Sequence, residues 1–306
     1  MNNPLVSIVI TTKNEERHIE TCLRSIAAQT YPRDKIEIIV VDNRSTDKTK
    51  EIAQKYTNKV FDKGPERSAQ RNYGMIEIAL GKYVMFVDAD MILSPCLLES
   101  CVSAMEESLA PPLALHISEV ILGTSYWCKV RRFERSFYEG TAIDGARFFL
   151  KEAFVQAGGF DEEVSGPEDW DIDKKIKQAG SICLLNNSRA SLSSLTEWPL
   201  FRFIINKGVI PDKYLAVLYH NESEFNLRHY FSKKNYYIKS LKKYISKWGK
   251  DDPDIKKQFG LWYRYAGVFL EHGKWKNLCL HPFLTYGIFM LRFFVGLSFL
   301  KSKLFF

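Results

Sequence analysis

Three short apolar runs punctuate the start of the chain: LVSIVITT at 5–12, IEIIVVD at 36–42 and KYVMFVD at 82–88. Each is rich in Val and Ile and bounded by polar or turn residues, so each is expected to be a strand buried on both faces. Helical patterns fill the intervals. HIETCLRSIAAQ follows Asn14 as its expected N-cap, KTKEIAQKY precedes a short strand VFD, and ERSAQRNYGMIEIAL is expected to stop at Gly81, a C′ glycine. Repeated strand–helix units predict an α/β fold with a mostly parallel, doubly wound sheet and helices on both faces. In such sheets ligands bind outside the carboxyl ends of the strands.

Those ends are unusually polar. The first run ends in Thr11, Thr12, Lys13, Asn14 and Glu15, the second in Asp42, and the third in Asp88 and Asp90. Turn chemistry accounts for any one of them, but less easily for three neighbouring strands together. If strand geometry continues through FVDADM, Asp88 and Asp90 share a face and repel, so a cation is needed between them. A hard divalent ion, Mg²⁺ or Mn²⁺, shared with substrate phosphates would supply it. Asp42 is placed to accept hydrogen bonds from a base or ribose. Arg67 and Arg71 are four apart on one helix face and within expected reach of a diphosphate. A second acidic centre, GPEDWD, sets Glu168, Asp169 and Asp171 at a helix start, where ionised carboxylates are favoured. One of them suits a general base for a hydroxyl. Gly158 and Gly159 just before it allow close approach of the loop to a ligand.

The segment from about 113 to 195 is mixed: LALHISEVILG and AIDGARFFL are expected as strands around the helix SYWCKVRRFERSFYEG, followed by the helices KEAFVQAGGF and EDWDIDKKIKQAG and the strand SICLL. After about 195 the chain becomes aromatic and basic, and residues 282–300 form an apolar stretch with Arg292 near its middle. Three readings of that stretch stand: a shallow helix in a membrane interface, a single span, or a soluble core helix; in the first two, Lys274, Lys276, Lys301 and Lys303 would face an anionic leaflet. The net charge of +7 suits phosphate ligands, nucleic acid or such a surface alike. The six cysteines form no CxxC pair, which points to free thiols in a reducing compartment. The first apolar run is short and has no basic segment before it, so no secretory signal is expected and the chain is placed in the cytoplasm.

VSIVITTKNEE, IIVVDNRSTDKT, ERSAQRNYG, YVMFVDAD, AGGFDEE and GPEDWD, in that order, resemble the inverting family 2 glycosyltransferases of the GT-A fold that build bacterial and archaeal surface glycans. The resemblance runs from residue 5 to about 180. It implies metal-dependent transfer of a hexosyl group from a nucleotide-diphosphate donor, UDP- ahead of GDP-, to an acceptor hydroxyl. Asp169 would be the catalytic base with Glu168 beside it. Thr11, Glu15, Asp42, Arg71 and Asp88 would bind the donor, and Asp90 with Asp88 would hold the cation. The family often carries a later histidine near the diphosphate, for which His220 is a candidate that no motif aligns, whereas His116 is expected to be structural. Residues 1–219 form the expected catalytic domain. Residues 220–306 form a helical region expected to associate with the cytoplasmic face of the membrane, peripherally or through one span, with a glycan or polyprenyl-linked acceptor and no nucleic-acid partner. A nucleotidyltransferase would need a glycine-rich phosphate loop after the first strand, and TTKNEE has no glycine. A nucleotide-sugar-binding protein without activity would tolerate damage to the D-x-D or ED pairs, and both are intact.

Overall fold

The computed structural model describes residues 3–185, 195–211, 216–236 and 238–304. Its strands are β1 (Val6–Thr12), β2 (Ile36–Asp42), β3 (Val60–Asp62), β4 (Tyr83–Asp88), β5 (Met91–Leu93), β6 (Ala114–His116), β7 (Glu119–Leu122), β8 (Ala146–Leu150), β9 (Ile182–Leu184) and β10 (Leu218–Asn221). The helices are α1 (Ile19–Ala27), α2 (Thr49–Gln54), α3 (Arg67–Asn72), α4 (Leu97–Glu106), α5 (Tyr126–Arg135), α6 (Lys151–Gln156), α7 (Glu168–Ala179) and α8 (Phe201–Asn206), then α9 (Leu227–Tyr236), α10 (Ile238–Trp248), α11 (Pro253–Phe259), α12 (Val268–Leu270), α13 (Lys276–Leu280) and α14 (Pro282–Leu304).

The three apolar runs are β1, β2 and β4, side by side in a seven-stranded sheet ordered β3-β2-β1-β4-β8-β6-β9. Pairing is parallel from β3 through β4. Strand β8 then runs antiparallel to both its neighbours, and β6 pairs parallel with β9. One face of the sheet packs Ile8, Ile10, Met85 and Val87 against α1 and α4, and the other packs Val9, Val84 and Phe86 against Met75, Phe154 and Ile172. Burial on both faces is what removed alternation from these runs. A second sheet of three strands, β5-β10-β7, was not foreseen. It splits LALHISEVILG in two: β6 stays in the main sheet and β7 joins the small one. Likewise AIDGARFFL is a strand only from Ala146, because turn bonds from Thr141 N to Tyr138 O and from Asp144 N to Thr141 O fold the residues before it.

Two punctuation residues have other duties than expected. Asn14 does not cap α1, which starts at Ile19. It sits at φ 56°, and its Oδ1 accepts from Thr46 N at 2.9 Å, tying the first rim loop to the second. Gly81 does not end a helix. The α3 helix passes into a π-helical turn over Tyr73–Ile78, and a Cβ on Gly81 would lie 2.7 Å from Ser7 N, so Gly81 serves a close approach to β1.

The C-terminal helices pack on the rest of the chain, and the expected boundary at 219/220 falls inside β10. Arg292 is buried. Its Nε donates to Glu134 Oε1 at 2.9 Å, its Nη2 donates to Tyr138 Oη at 3.0 Å, and its guanidinium stacks 4.5 Å from the Phe269 ring centroid. Burial by itself would raise the Glu134 carboxyl, but Arg292 and Arg131 outweigh it and bring it to about 2. The arginine that looked costly in an apolar stretch therefore has an ionised partner on α5. Around it Ile288 and Leu291 of α14 are buried, while Phe283, Tyr286 and Phe293 are exposed. Among the described residues, no helix is long and apolar enough to cross a membrane. Lys301 and Lys303, expected to face a leaflet, have side chains outside what is described.

Candidate active site

The carboxyl ends of β2, β1 and β4 bring three of the expected groups to one rim. Asp42 ends β2 in register with Thr12, whose hydroxyl donates to Asp42 Oδ1 at 2.7 Å. Ser45 closes the turn, its N–H donating to Oδ2 and its hydroxyl to Oδ1, both at 2.6 Å. Asp42 is thus fully buried, fixed by its own loop. Glu15 lies just past β1, its carboxylate paired with the His18 ring at 2.9 Å. Asn14, Glu15 and Glu16 are all stitched to residues 45–49, so the two rim loops form one unit.

The aspartate pair separates where the strand ends. Asp88 is the last residue of β4 and Asp90 stands in a turn, so the two do not share a strand face. Each has its own cation. Asp88 Oδ1 accepts from Arg71 Nη2 at 3.1 Å and from the Thr11 hydroxyl at 3.4 Å. Burial would raise its pKa, but the positive charges of Arg71, Arg67, Arg147 and His220 outweigh it and hold it far below the usual carboxylate range. Asp90 Oδ2 lies 3.2 Å from His220 Nε2. His220 reaches it because β10 runs antiparallel to β5, pairing His220 with Met91. Burial would lower the histidine, but Asp90 and Glu222 raise it to about 9.

Arg71 was expected within reach of a diphosphate or its neighbours. Only 1% of its surface is exposed, and it lies behind the carboxylates, its guanidinium 4.1 Å from the Phe86 ring centroid. While Nη2 holds Asp88, Nη1 donates to Asp169 Oδ1 at 3.1 Å and lies 3.6 Å from Glu168 Oε1. One buried cation therefore ties the end of β4 to the start of α7. The two acids of the ED pair differ. Glu168 is buried and occupied by Arg67 Nη2 at 3.2 Å and by the Gly166 N–H. Asp169 is 28% exposed at its side chain, so of the two it is the carboxylate with an open side. Gly145, just before β8, backs onto it: a Cβ there would lie 2.8 Å from Asp169 Cβ. The AGGF loop is pinned by Asn72, which donates to Phe160 O at 2.9 Å and accepts from Phe160 N at 2.8 Å.

One site residue escaped the sequence. Arg147 on β8 is buried, donates to Glu119 Oε1 through Nε at 3.0 Å and Nη2 at 2.6 Å, and stacks 4.8 Å from Phe86 on which Arg71 also lies. Its signal was an arginine inside an apolar run, ARFFL. His116, expected to be structural, is buried with Nε2 2.6 Å from Asp173 Oδ2, bracing α7 against the sheet.

For a divalent cation the fit is partial. Asp90 Oδ1 is buried without a hydrogen-bond partner, as a ligand oxygen awaiting a cation would be, and Asp88 lies two residues before it in the chain. Among the described residues, no group of three or more His, Cys, Asp or Glu is arranged to hold a metal by itself. Any ion here would need oxygens from a substrate, which is how Mg²⁺ and nucleotide phosphates usually share a site.

The comparison with known families decides what this rim belongs to: the family described as "Glycosyl transferase family 2" matches residues 7–150. Residues 7–150 belong to that family. The curated relatives of this family 2 domain include the glycosyltransferase AglE of Haloferax volcanii, 39% identical over 94 residues, covering 28% of this chain and 31% of the relative. They also include the poly(ribitol-phosphate) β-N-acetylglucosaminyltransferase TarS of Staphylococcus aureus, 31% identical over 145 residues, 44% of this chain and 23% of the relative. The chain thus spans less than a third of the length of these two relatives. Among solved structures, the mannosyltransferase PcManGT from Pyrobaculum calidifontis, in complex with GDP-Man and Mn²⁺, superposes with a TM-score of 0.54 at 20% identity. That match covers 94% of this chain and 74% of the other. S. aureus TarS 1–349 in complex with UDP-GlcNAc gives 0.51 at 18% identity, covering 90% and 75%. At these identities they establish a shared fold.

Proposed function

We propose that this chain is an inverting, divalent-cation-dependent glycosyltransferase, moving a hexosyl group from a nucleotide-diphosphate donor to an acceptor hydroxyl. The observation that carries this is the Arg71 bridge. It holds Asp88, one of the two aspartates suited to a metal and diphosphate, within one guanidinium of Asp169, a partly exposed carboxylate suited to a base. Asp42, Thr11 and Glu15 line the nucleoside side of the rim. Asp90 and Asp88 would hold the cation, which when bound offsets the charge that builds on the departing diphosphate. Arg71 and Arg147 keep Asp88 ionised from behind. Asp169 takes the acceptor proton as its oxygen attacks the anomeric carbon from the face opposite the leaving group. The bound ligands of the fold neighbours, UDP-GlcNAc and GDP-Man, support a nucleotide sugar of either kind as donor, with UDP- the first to test. A thermal-shift screen of UDP, UDP-GlcNAc, GDP and GDP-mannose, with and without Mn²⁺, tests the reading. One nucleotide should raise Tm only with Mn²⁺, and Asp90→Ala should abolish that dependence. Equal Mn²⁺-supported binding by Asp90→Ala would remove the metal role.

The acceptor is proposed to be a lipid-linked or membrane-presented glycan at the cytoplasmic leaflet. Support comes from the exposed apolar side chains Trp262, Trp275, Leu280, Phe283, Tyr286 and Phe293, which fall within about thirty residues of one another near the C-terminal end. Aromatic residues beside lysines suit the headgroup region. The chain should co-sediment with vesicles containing phosphatidylglycerol and be released from them by a Phe283→Ser/Phe293→Ser double change. A chain left in the supernatant with such vesicles would rule the membrane role out.

A further inference from the structure

The residues that follow Asp169 are held by the C-terminal region. Trp170 donates from Nε1 to Ile143 O at 2.9 Å, and its ring packs against Tyr244 of α10 and Phe259 of α11. Asp171 is fully buried. Its Oδ1 accepts from Trp248 Nε1 at 2.8 Å, Lys247 Nζ lies 2.8 Å from Oδ1 and 3.0 Å from Oδ2, and Lys175 Nζ is 3.2 Å from Oδ2. The same Lys247 ammonium donates to Asp161 Oδ2 at 2.9 Å. One side chain of α10 therefore ties Asp161, in the loop that leads into α7, to Asp171 in the first turn of α7. Lys174 Nζ adds a contact at 2.6 Å to Asp252, the N-cap of α11. Helix-start electrostatics explain an acid in the first turn of α7. They do not explain why Asp171 is dry and gripped by three nitrogens, two of them from a helix more than seventy residues further along the chain. A buried carboxylate held in this way has one orientation, since any other leaves a charge unpaired. Asp169 is two residues earlier on the same turn, so the grip anchors the backbone that carries it, while Arg71 Nη1 holds its carboxylate at 3.1 Å.

We infer that Lys247 and Trp248 are positioning residues for the reaction, acting through Asp171 to hold Asp169 against the reacting hydroxyl. This rests on the reading of Asp169 as the base. It makes α10 part of the catalytic apparatus, although α10 lies outside the family match. A shift of the base by about 1 Å is enough to cost two orders of magnitude in rate.

The test uses the full chain and follows nucleoside diphosphate released from UDP-GlcNAc and GDP-mannose. Lys247→Met and Trp248→Phe should each lower kcat roughly ten- to hundredfold. Donor KM and Mn²⁺-supported nucleotide binding should stay within about twofold, and Lys247→Arg should recover most of the rate. Trp248→Phe removes the Nε1–H together with the five-membered ring but keeps an aromatic group in the site, so a folded Trp248→Phe chain with parental nucleotide binding decides the matter even if Lys247→Met fails to fold. Parental kcat in Trp248→Phe, or a parallel loss of nucleotide binding, overturns the inference. Asp169→Asn separates the two readings. If it keeps its rate, the base assignment falls and the positioning role falls with it. If it is inactive while Trp248→Phe is fully active, the positioning role alone falls.

Discussion

Asp169→Asn should fold as the parent does, bind nucleotide with Mn²⁺ as the parent does, and lose about 10²–10⁴ in transfer rate. The substitution keeps the shape of the side chain and leaves an amide oxygen for the 3.1 Å hydrogen bond from Arg71 Nη1. Arg71 retains Asp88 and Glu168 as counter-charges, so the buried cation is not stranded. What disappears is an ionised oxygen at the one acid of the pair with an open side. Glu168 cannot take over, because it is buried and committed to Arg67 and the Gly166 N–H. Nucleoside diphosphate release measures the rate, and calorimetric titration of nucleotide measures binding. Parental turnover in this variant would remove Asp169 from the role of base.

Arg71→Leu carries the largest expected cost to the fold. Leucine keeps apolar contact with Phe86, but Asp88, Asp169 and Glu168 lose the cation between them. Removing one partner of a buried ion pair typically costs about 3–5 kcal/mol. Urea unfolding at neutral pH should show a loss of that order. The pH dependence fixes its origin. Burial would raise the Asp88 pKa, and Arg71 is foremost among the charges that depress it, so Asp88 contributes stability above the ordinary carboxylate pKa and loses it as pH falls. Without Arg71 the carboxyl protonates more readily. The gap between variant and parent should therefore narrow as the solution is acidified below about pH 4. A gap independent of pH would mean that Arg71 acts by packing on Phe86 and not by charge.

Much of the architecture was legible because it is written locally. LVSIVITT, IEIIVVD and KYVMFVD are β1, β2 and β4, since continuous apolar runs record burial on both faces whatever the neighbours are. Their ends were legible for the same reason: in a parallel sheet the carboxyl rim follows from chain direction alone, and it holds Asp42, Asp88 and Asp90. The signals that failed were those whose outcome depends on what lies across the gap. Asn14 has the composition of a cap, but Thr46 on the next loop offered its oxygen a donor. Gly81 has the composition of a helix stop, but β1 needed the space. LALHISEVILG looks like one strand, and two different sheets claim its halves.

The sequence by itself determined the strand–helix alternation, the acidic rim and the ED pair at a helix start, because periodicity, turn chemistry and helix-end electrostatics act within a few residues. Only the tertiary structure decided what each charge is for. Arg71 meets Asp169 across 98 positions, His220 meets Asp90 across 130, and Arg292 meets Glu134 across 158. An ion pair requires two groups within about 4 Å in a shared dry environment, and separation along the chain carries no information about that. Packing therefore moved Arg71 behind the carboxylates, parted Asp88 from Asp90 at the end of β4, and gave the arginine of α14 a partner on α5.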